Sequence, residues 1–429
     1  MQRSHRGWLI VLFLAAFGLR LGVLVARGTF GRTSEHYREY IYAGQGLLSH
    51  GTLVSPLLLE TVDLRPSALL PPGYAAFCAC VYALLGVDTS SANAVLHLTN
   101  CAASALAVVF VFLSARSLGG GVAGWIAAII AAINPTLIGF AELIWDTSLL
   151  ILGVSITLWL AVVLGARRRR AAAFLGFGLW LGLLALLNPA LTIAYPLLVL
   201  WPIVRDGGSS TRAAVILVAA SVLGWMIAIL PWTLRNHHHF DKWIYVRGGF
   251  MLEVWLGVCP EAEGEGGAVY TNQFPLLNAD VQRHLAKVGE GQFVGECGEK
   301  AVEAIKADPM RLARLIAVRA VDYWAGTAFS HSRPGESGIP AAGWRRGVMA
   351  FLLVETAALM VLCAMGGATD GSRKWLWGMI VLFSLMYCLT HVQVRYRAPG
   401  EPIVAVLLGL QGSAWFRRSG APAASRSSG

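Results

Sequence analysis

TSEHYREYIYAGQGLLSHG (33–51), followed after a short spacer by DLRPSALLPPGY (63–74), is where this sequence changes character. Directly before it runs Gly7 to Ala26, 20 residues that are apolar apart from Arg20, about the length a helix needs to cross ~30 Å of hydrocarbon. The stretch itself collects acids, tyrosines, arginine and prolines that the flanking sequence almost entirely lacks. No small-residue cleavage site follows the apolar run, so it reads as an uncleaved first span and not as a secretory signal. A polar, proline-punctuated loop hung on a membrane-length helix points to an integral membrane protein with chemistry at one surface.

Composition agrees. Of 429 residues 56% are hydrophobic and only 14% charged, far more apolar than a soluble domain. The net charge of +10 is spread over short segments between apolar runs, which makes it a topology signal. No basic helix with interleaved aromatics is present, so no nucleic-acid partner is expected. The seven cysteines include no CxxC pair or other metal-ligand spacing. Most read as buried thiols; Cys259 and Cys297, both in the one long hydrophilic segment, could pair if that segment faces an oxidising compartment.

Further apolar runs occur at 93–115, 121–141, 143–165, 171–187, 190–204, 213–231, 347–366, 375–392 and 399–415, ten with the first. The segment PPGYAAFCACVYALLG (71–86) has 16 residues, in the range of re-entrant or interfacial helices. Charge parity decides its treatment. If it does not cross, an inside N-terminus puts Arg116, Arg167 to Arg170, Arg205, Arg212, Arg373, Lys374, Arg417 and Arg418 all on the cytoplasmic side. If it crosses, the four-arginine run becomes external. The expected fold is therefore an all-α polytopic membrane protein of about ten transmembrane helices, with outer juxtamembrane helices and a small outer cap. The expected division is a membrane module (1–231) carrying the outer loop 27–92, an outer segment (232–345), C-terminal spans (346–416) and a disordered tail (417–429). Two amphipathic helices are expected near 278–307 and 309–328, with Asp308-Pro309 as stop and restart.

Candidate site residues converge on the outer face. Glu35 and Glu39 are four apart and share a face if 34–48 is helical, with Tyr40 and Tyr42 beside them. Carboxylates under a low-dielectric roof suit general-base work; solvated acids on an interfacial helix are the plainer reading. Glu142 and Asp146 repeat that spacing at the start of a span, where acids mark a functional site or cap the helix. Arg65, Arg235, Arg247, Arg395 and Arg397 lie nearest the outer span ends. Guanidinium forks suit the phosphate oxygens of a lipid-linked phosphate, with interfacial snorkelling as the alternative. The run His237 to His239 cannot aim three rings at one ion in regular structure, so a metal site is not expected there.

The pattern resembles the GT-C glycosyltransferases of the PMT/aminoarabinose-transferase type, multispan enzymes that use polyprenyl-phosphate-linked sugars. The likeness runs in order through SEHYREYIYAGQGLLSHG, RPSALLPPGY, NPTLIGFAELIWDT, GFGLWLGLLALLNPA, PWTLRNHHHF and RYRAPGEP. In that family the first outer loop carries an acid, usually Asp, that acts as catalytic base or orients the acceptor. This chain lacks the Asp; Glu35 is the nearest acid, with Glu39 the alternative. Asp146, or Glu142, matches the second acidic position, and Arg395 and Arg397 match late basic positions that would hold the donor phosphate. Tyr40, Tyr74, Arg65 and Arg235 complete the candidate substrate-binding set.

The resemblance implies sugar transfer from a polyprenyl-phosphate donor to a hydroxyl of a glycan, lipid or protein acceptor, at the outer face of the plasma (inner) membrane. No cofactor is required by the residues; assistance by a divalent metal stays open. A transporter or flippase for a lipid-linked sugar, which would call for a polar path and inverted repeats, and a non-catalytic envelope-assembly protein are the rival readings.

Overall fold

The computed structural model of this chain describes residues 3–33, 38–55, 57, 65–166, 170–205, 210–262, 272–326, 342–364 and 371–419. Glu35, Arg167 to Arg169 and the tail from 420 onward lie outside the described residues. The described chain is helical, its β-structure a single bridge between Val54 and Pro66.

The first half of the chain builds the membrane part. Helix α1 (Arg3–Ala26) is followed by the short α2 (Glu39–His50) and α3 (Pro72–Leu85), then by α4 (Ser90–Gly119) and α5 (Gly121–Ile133). After α6 (Pro135–Gly139) come α7 (Thr147–Gly165), α8 (Ala171–Leu187), α9 (Tyr195–Val204) and α10 (Thr211–Phe240). The outer segment contributes α11 (Phe250–Val258), α12 (Ala279–Val288), α13 (Glu290–Ala307) and α14 (Pro309–Ala325). The C-terminal part is α15 (Ala342–Leu362), α16 (Gly371–Leu389), the single turn α17 (Val394–Arg397) and α18 (Glu401–Ser419).

Among the described residues four helices are long and apolar enough to cross a membrane: Gly7–Ala26, α4, α7 and α10; the bent pair Gly121–Ile133 plus Pro135–Glu142 makes a fifth. The chain is a multi-pass membrane protein, but the expected count of ten spans is not reached on length and composition. The reason is physical: α8 and α9 are short, and α15, α16 and α18 carry charge within their length, at Arg345, Arg346 and Glu355, at Arg373 and Lys374, and at Glu401, Arg417 and Arg418. Helix α3 has 14 residues, about 21 Å at 1.5 Å per residue, and so falls short of a crossing. It packs instead on α2, where a Cβ on Gly44 would lie 2.8 Å from Cys78 Cβ.

Two boundaries differ from expectation. α10 runs on to Phe240 and stops at Asp241 in the left-handed region (φ 52), so Trp232 to Phe240, histidines included, is helix and not loop. The helix expected at 278–307 is broken at Gly289, whose φ is +82. Asp308 does cap α14, its side chain accepting from Arg311 N at 2.8 Å.

The 49° break between α5 and α6 explains a charge inside the first span. Asn134 restarts the helix by accepting from Thr136 N at 2.8 Å and Leu137 N at 3.3 Å, with Pro135 in first position. The last carbonyls of α5 are left without helical donors. Arg20 supplies them, donating to Ala131 O at 3.3 Å and Ala132 O at 3.2 Å while its Nε meets Ser104 Oγ at 2.6 Å.

Candidate active site

The break between α6 and α7 makes the site. After the 3-10 turn Phe140–Glu142 the backbone turns extended at Leu143 (φ −87, ψ 133), so Glu142 and Asp146 do not share a helix face as their spacing suggested. Glu142 turns to Arg27, 2.8 Å away. Asp146 turns the other way, into the protein, and is 3% exposed. Its Oδ2 accepts from Asn188 Nδ2 at 2.9 Å and from the Tyr40 hydroxyl at 3.3 Å.

Tyr40 is fixed by packing: its ring meets Tyr74 edge-on at 5.0 Å and Trp145 at 4.9 Å. Tyr74 in turn is met by Asn100 Nδ2 at 3.4 Å, and that amide also donates to Leu143 O at 2.6 Å. Helices α2, α3 and α4 thereby hold the turn that presents Asp146.

Glu39, one residue before Tyr40 and first in α2, lies within electrostatic reach of Arg395. Its Oε2 is buried without a hydrogen-bond partner among the described residues. Burial holds its pKa above the usual carboxylate range, with Arg395 pulling it back. Burial likewise pushes Asp146 up to about 6 against the pull of Asn188, Arg395 and Tyr40.

The opposite wall is basic. The Arg395 guanidinium stacks 4.7 Å from the Trp145 ring centroid and 5.1 Å from that of Tyr396. Its Nη2 donates to the Tyr396 hydroxyl at 3.3 Å. That hydroxyl lies 3.0 Å from His391 Nε2, and His391 Nδ1 is 3.5 Å from Glu253 Oε2. Glu253 pairs with Arg247 through its other oxygen, and Arg247 Nε donates to Leu69 O at 2.7 Å. Arg247 is exposed and Glu253 half-buried, with 35% and 20% of their side-chain surface accessible. Burial opposes the charge on Arg247, but Glu253, Tyr396 and Tyr40 outweigh it and hold its pKa above normal.

Close packing delivers Glu253 to this wall. A Cβ on Gly257 would lie 2.0 Å from Thr390 O, so only glycine lets α11 abut the chain just before His391. Arg311 donates to the carbonyls of Val258 (2.7 Å) and Cys259 (2.8 Å), capping the end of α11.

Of the residues singled out in the sequence, Glu39, Tyr40, Tyr74, Asp146, Arg247 and Arg395 come together here. Arg235 does not: it clamps the strap before α3, donating to Ser67 O at 2.8 Å and Thr52 Oγ1 at 2.8 Å. Arg65 reaches Ala286 O on the cap. Arg397 points into the core, its Nη2 2.8 Å from Glu355 and its Nε 2.7 Å from Glu401. Asn188, Glu253, His391 and Tyr396 carried no role in the sequence reading, though Asn188 lies in the quoted GFGLWLGLLALLNPA and Tyr396 in the quoted RYRAPGEP. Cys259 and Cys297 are both free and buried, which removes the disulfide.

Among the described residues no group of three His, Cys, Asp or Glu side chains could hold a metal ion. Asp146 Oδ2 is occupied by Tyr40 and Asn188, and Arg395 and Arg247 are its cationic neighbours. A divalent cation held by these protein groups alone does not fit.

No family model and no curated protein matches the sequence. Solved structures do. The oligosaccharyltransferase of Archaeoglobus fulgidus, in its crystal structure with zinc and sulfate, is matched over 96% of this chain and 49% of that one, at 14% identity and a TM-score of 0.53. AglB from the same organism, in complex with an inhibitory peptide and a dolichol-phosphate, gives 97%, 51%, 14% and 0.50. The fold is the GT-C fold. ArnT from Cupriavidus metallidurans in the apo state is a more distant likeness, covering 95% of this chain and 78% of that one at 15% identity and a TM-score of 0.37. This chain spans about half the length of the oligosaccharyltransferases it matches. In the GT-C fold described here, the buried acids and the arginine wall come from five separated segments: 39–40, 146, 188, 247–253 and 391–396.

Proposed function

We propose that this chain is a membrane glycosyltransferase that moves a sugar from a polyprenyl-phosphate donor to an acceptor hydroxyl at the outer face of the membrane. The observation that carries the reading is the meeting of the buried Asp146 and the half-buried Glu39 with Arg395 and Arg247 in a GT-C fold. That a matched structure holds a dolichol-phosphate supports a lipid phosphate as the anionic ligand.

In this reading the acceptor oxygen attacks the anomeric carbon, the bond from that carbon to the phosphate oxygen breaks, and the lipid phosphate leaves with the electron pair. Glu39, whose Oε2 has no hydrogen-bond partner among the described residues, takes the acceptor proton. Asp146, fixed by Tyr40 and Asn188, orients the acceptor hydroxyl. Arg395 and Arg247 meet the charge that grows on the phosphate, the larger contribution in a dry site because the guanidiniums are already in place. Glu35 stays the alternative base.

Transfer assays in membranes from cells expressing Glu35→Gln, Glu39→Gln or Asp146→Asn test this. Loss of about 10²-fold or more is expected for Asp146→Asn and for the variant lacking the base. Full activity in all three overturns it.

A further inference from the structure

We infer that Glu253 is the residue that sets the charge of the phosphate site and positions Arg247, so that the site selects donors with one phosphate over donors with two. The inference rests on the reading of the recess as a lipid-phosphate site.

Glu253 accepts from Arg247 Nη2 through Oε1. Its Oε2 lies 3.5 Å from His391 Nδ1. The other ring nitrogen, Nε2, lies 3.0 Å from the Tyr396 hydroxyl, whose oxygen accepts from Arg395 Nη2 at 3.3 Å. Tyr396 is locked by stacking on Tyr387 at 4.5 Å and 9°. The carboxylate thus holds Arg247 directly, and His391 and Tyr396 stand between it and Arg395.

Burial lowers the His391 pKa to about 4, with Arg319, Arg395 and Arg247 adding to the fall against Glu253. The ring is therefore neutral at physiological pH and adds no charge. Counting this wall alone, two arginines and one glutamate leave a single positive charge. A sugar phosphodiester carries one negative charge and cancels it. A diphosphate carries two, and its second charge would sit uncompensated in a recess whose other side is Glu39 and Asp146. Beside those two carboxylates that excess is costly.

The test uses the purified full chain and two sugar-free probes, farnesyl methyl phosphate (one charge) and farnesyl methyl diphosphate (two charges), titrated in detergent. The wild type is expected to prefer the monophosphate. Glu253→Gln removes the balancing charge and should move the ratio of the two Kd values toward the diphosphate by about tenfold, a modest estimate for one unit charge a few Å away. Arg247→Gln leaves Glu253 facing the ligand and should move the ratio the other way, while weakening both probes. It gives the same reading should Glu253→Gln not fold. A ratio unchanged in both variants, with Arg395→Gln losing both probes, sinks the role of Glu253 alone. Wild-type binding of both probes by Arg395→Gln and Arg247→Gln together sinks the phosphate site and this inference with it.

Discussion

Two arginines two residues apart in RYR look interchangeable in sequence and are not in space. Arg397 is 2% exposed. It spends its donors on Glu355, Glu401, Thr356 and the carbonyls of Tyr323 and Trp324. Arg395 stacks on Trp145 and faces the recess. A lysine cannot reproduce a five-donor fork, so Arg397→Lys should cost about 3–5 kcal/mol by leaving two buried carboxylates short of a partner. Arg395→Lys should leave stability nearly unchanged and cut transfer. Scanning fluorimetry in detergent, run beside the transfer assay, separates the two; an equal drop in melting temperature for both would contradict the division of labour. Asp146 adds a pH signature. Its pKa, pushed up to about 6 by burial, exceeds the ordinary value of about 3.9. The folded protein thus holds this proton more tightly than the unfolded chain. The group favours folding below about pH 4 and loses that contribution as pH climbs through about 6. Transfer should run opposite, rising over the same interval as the carboxylate ionises, and Asp146→Asn should flatten that limb of the profile.

At the scale of elements, the glycine-rich segment GFGLWLGLLALLNPA does two separate jobs that sequence alone merges. A Cβ on Gly178 would sit 1.9 Å from Ser221 O, one on Gly182 2.5 Å from Ala228 Cβ, and one on Gly224 2.1 Å from Leu175 O. These glycines let α8 and α10 approach backbone to backbone, the way small residues pack helices in membranes. Gly176, in the same segment, has nothing within 4 Å of its Cβ position. Gly178→Ala should therefore force the helices apart and cost about 1–3 kcal/mol. Gly176→Ala should be neutral or stabilising by up to about 1 kcal/mol, through helix propensity alone. Opposite shifts in melting temperature are the expected result, and a parallel shift would place the constraint elsewhere. Activity should fall with Gly178→Ala too, because α8 ends at the Asn188 that holds Asp146. The motif was legible as a motif; which glycine matters was not, because that depends on a partner helix some 40 residues away in sequence.

Across the whole molecule, what the sequence disclosed were the local properties. Apolar length, helix stops at Asp308-Pro309 and the order of short motifs anticipated an all-α membrane protein of GT-C form. Glu39 and Asp146 stood out because acids beside hydrocarbon are costly. Arg247 stood out among the outer arginines, whereas Glu253, His391 and Tyr396 are ordinary residues in their own neighbourhoods, and the four become a wall only when the start of α11 meets the chain after α16. The same contact changes what a topology experiment asks. Since Tyr40 already touches Asp146 and Arg395 stacks on Trp145, the acids and arginines share one face whichever way the chain is inserted. What remains is which compartment that face meets. Between Ser90 and Arg170 lie α4, the bent α5 and α6 pair, and α7; between Arg170 and Trp243 lie α8, the 189–204 segment and α10. If each of these crosses once, both counts are odd, so Ser90 and Trp243 share a side and Arg170 has the other. Gly400 is buried against Tyr323 and Phe383 and would make a poor reporter. Exposed Ser90, Trp243 and Leu277 serve for one face, and Arg170 and Arg212 for the other. Cys80 is exposed and Cys363 partly so, so replacing both gives a quiet background for single reporter cysteines. Labelling of the first three from outside and the last two only after permeabilisation is expected from the positive-inside tendency. The reverse result would turn the recess toward the cytoplasm, where the donor would have to come from the inner leaflet, and transfer at the outer face would fall.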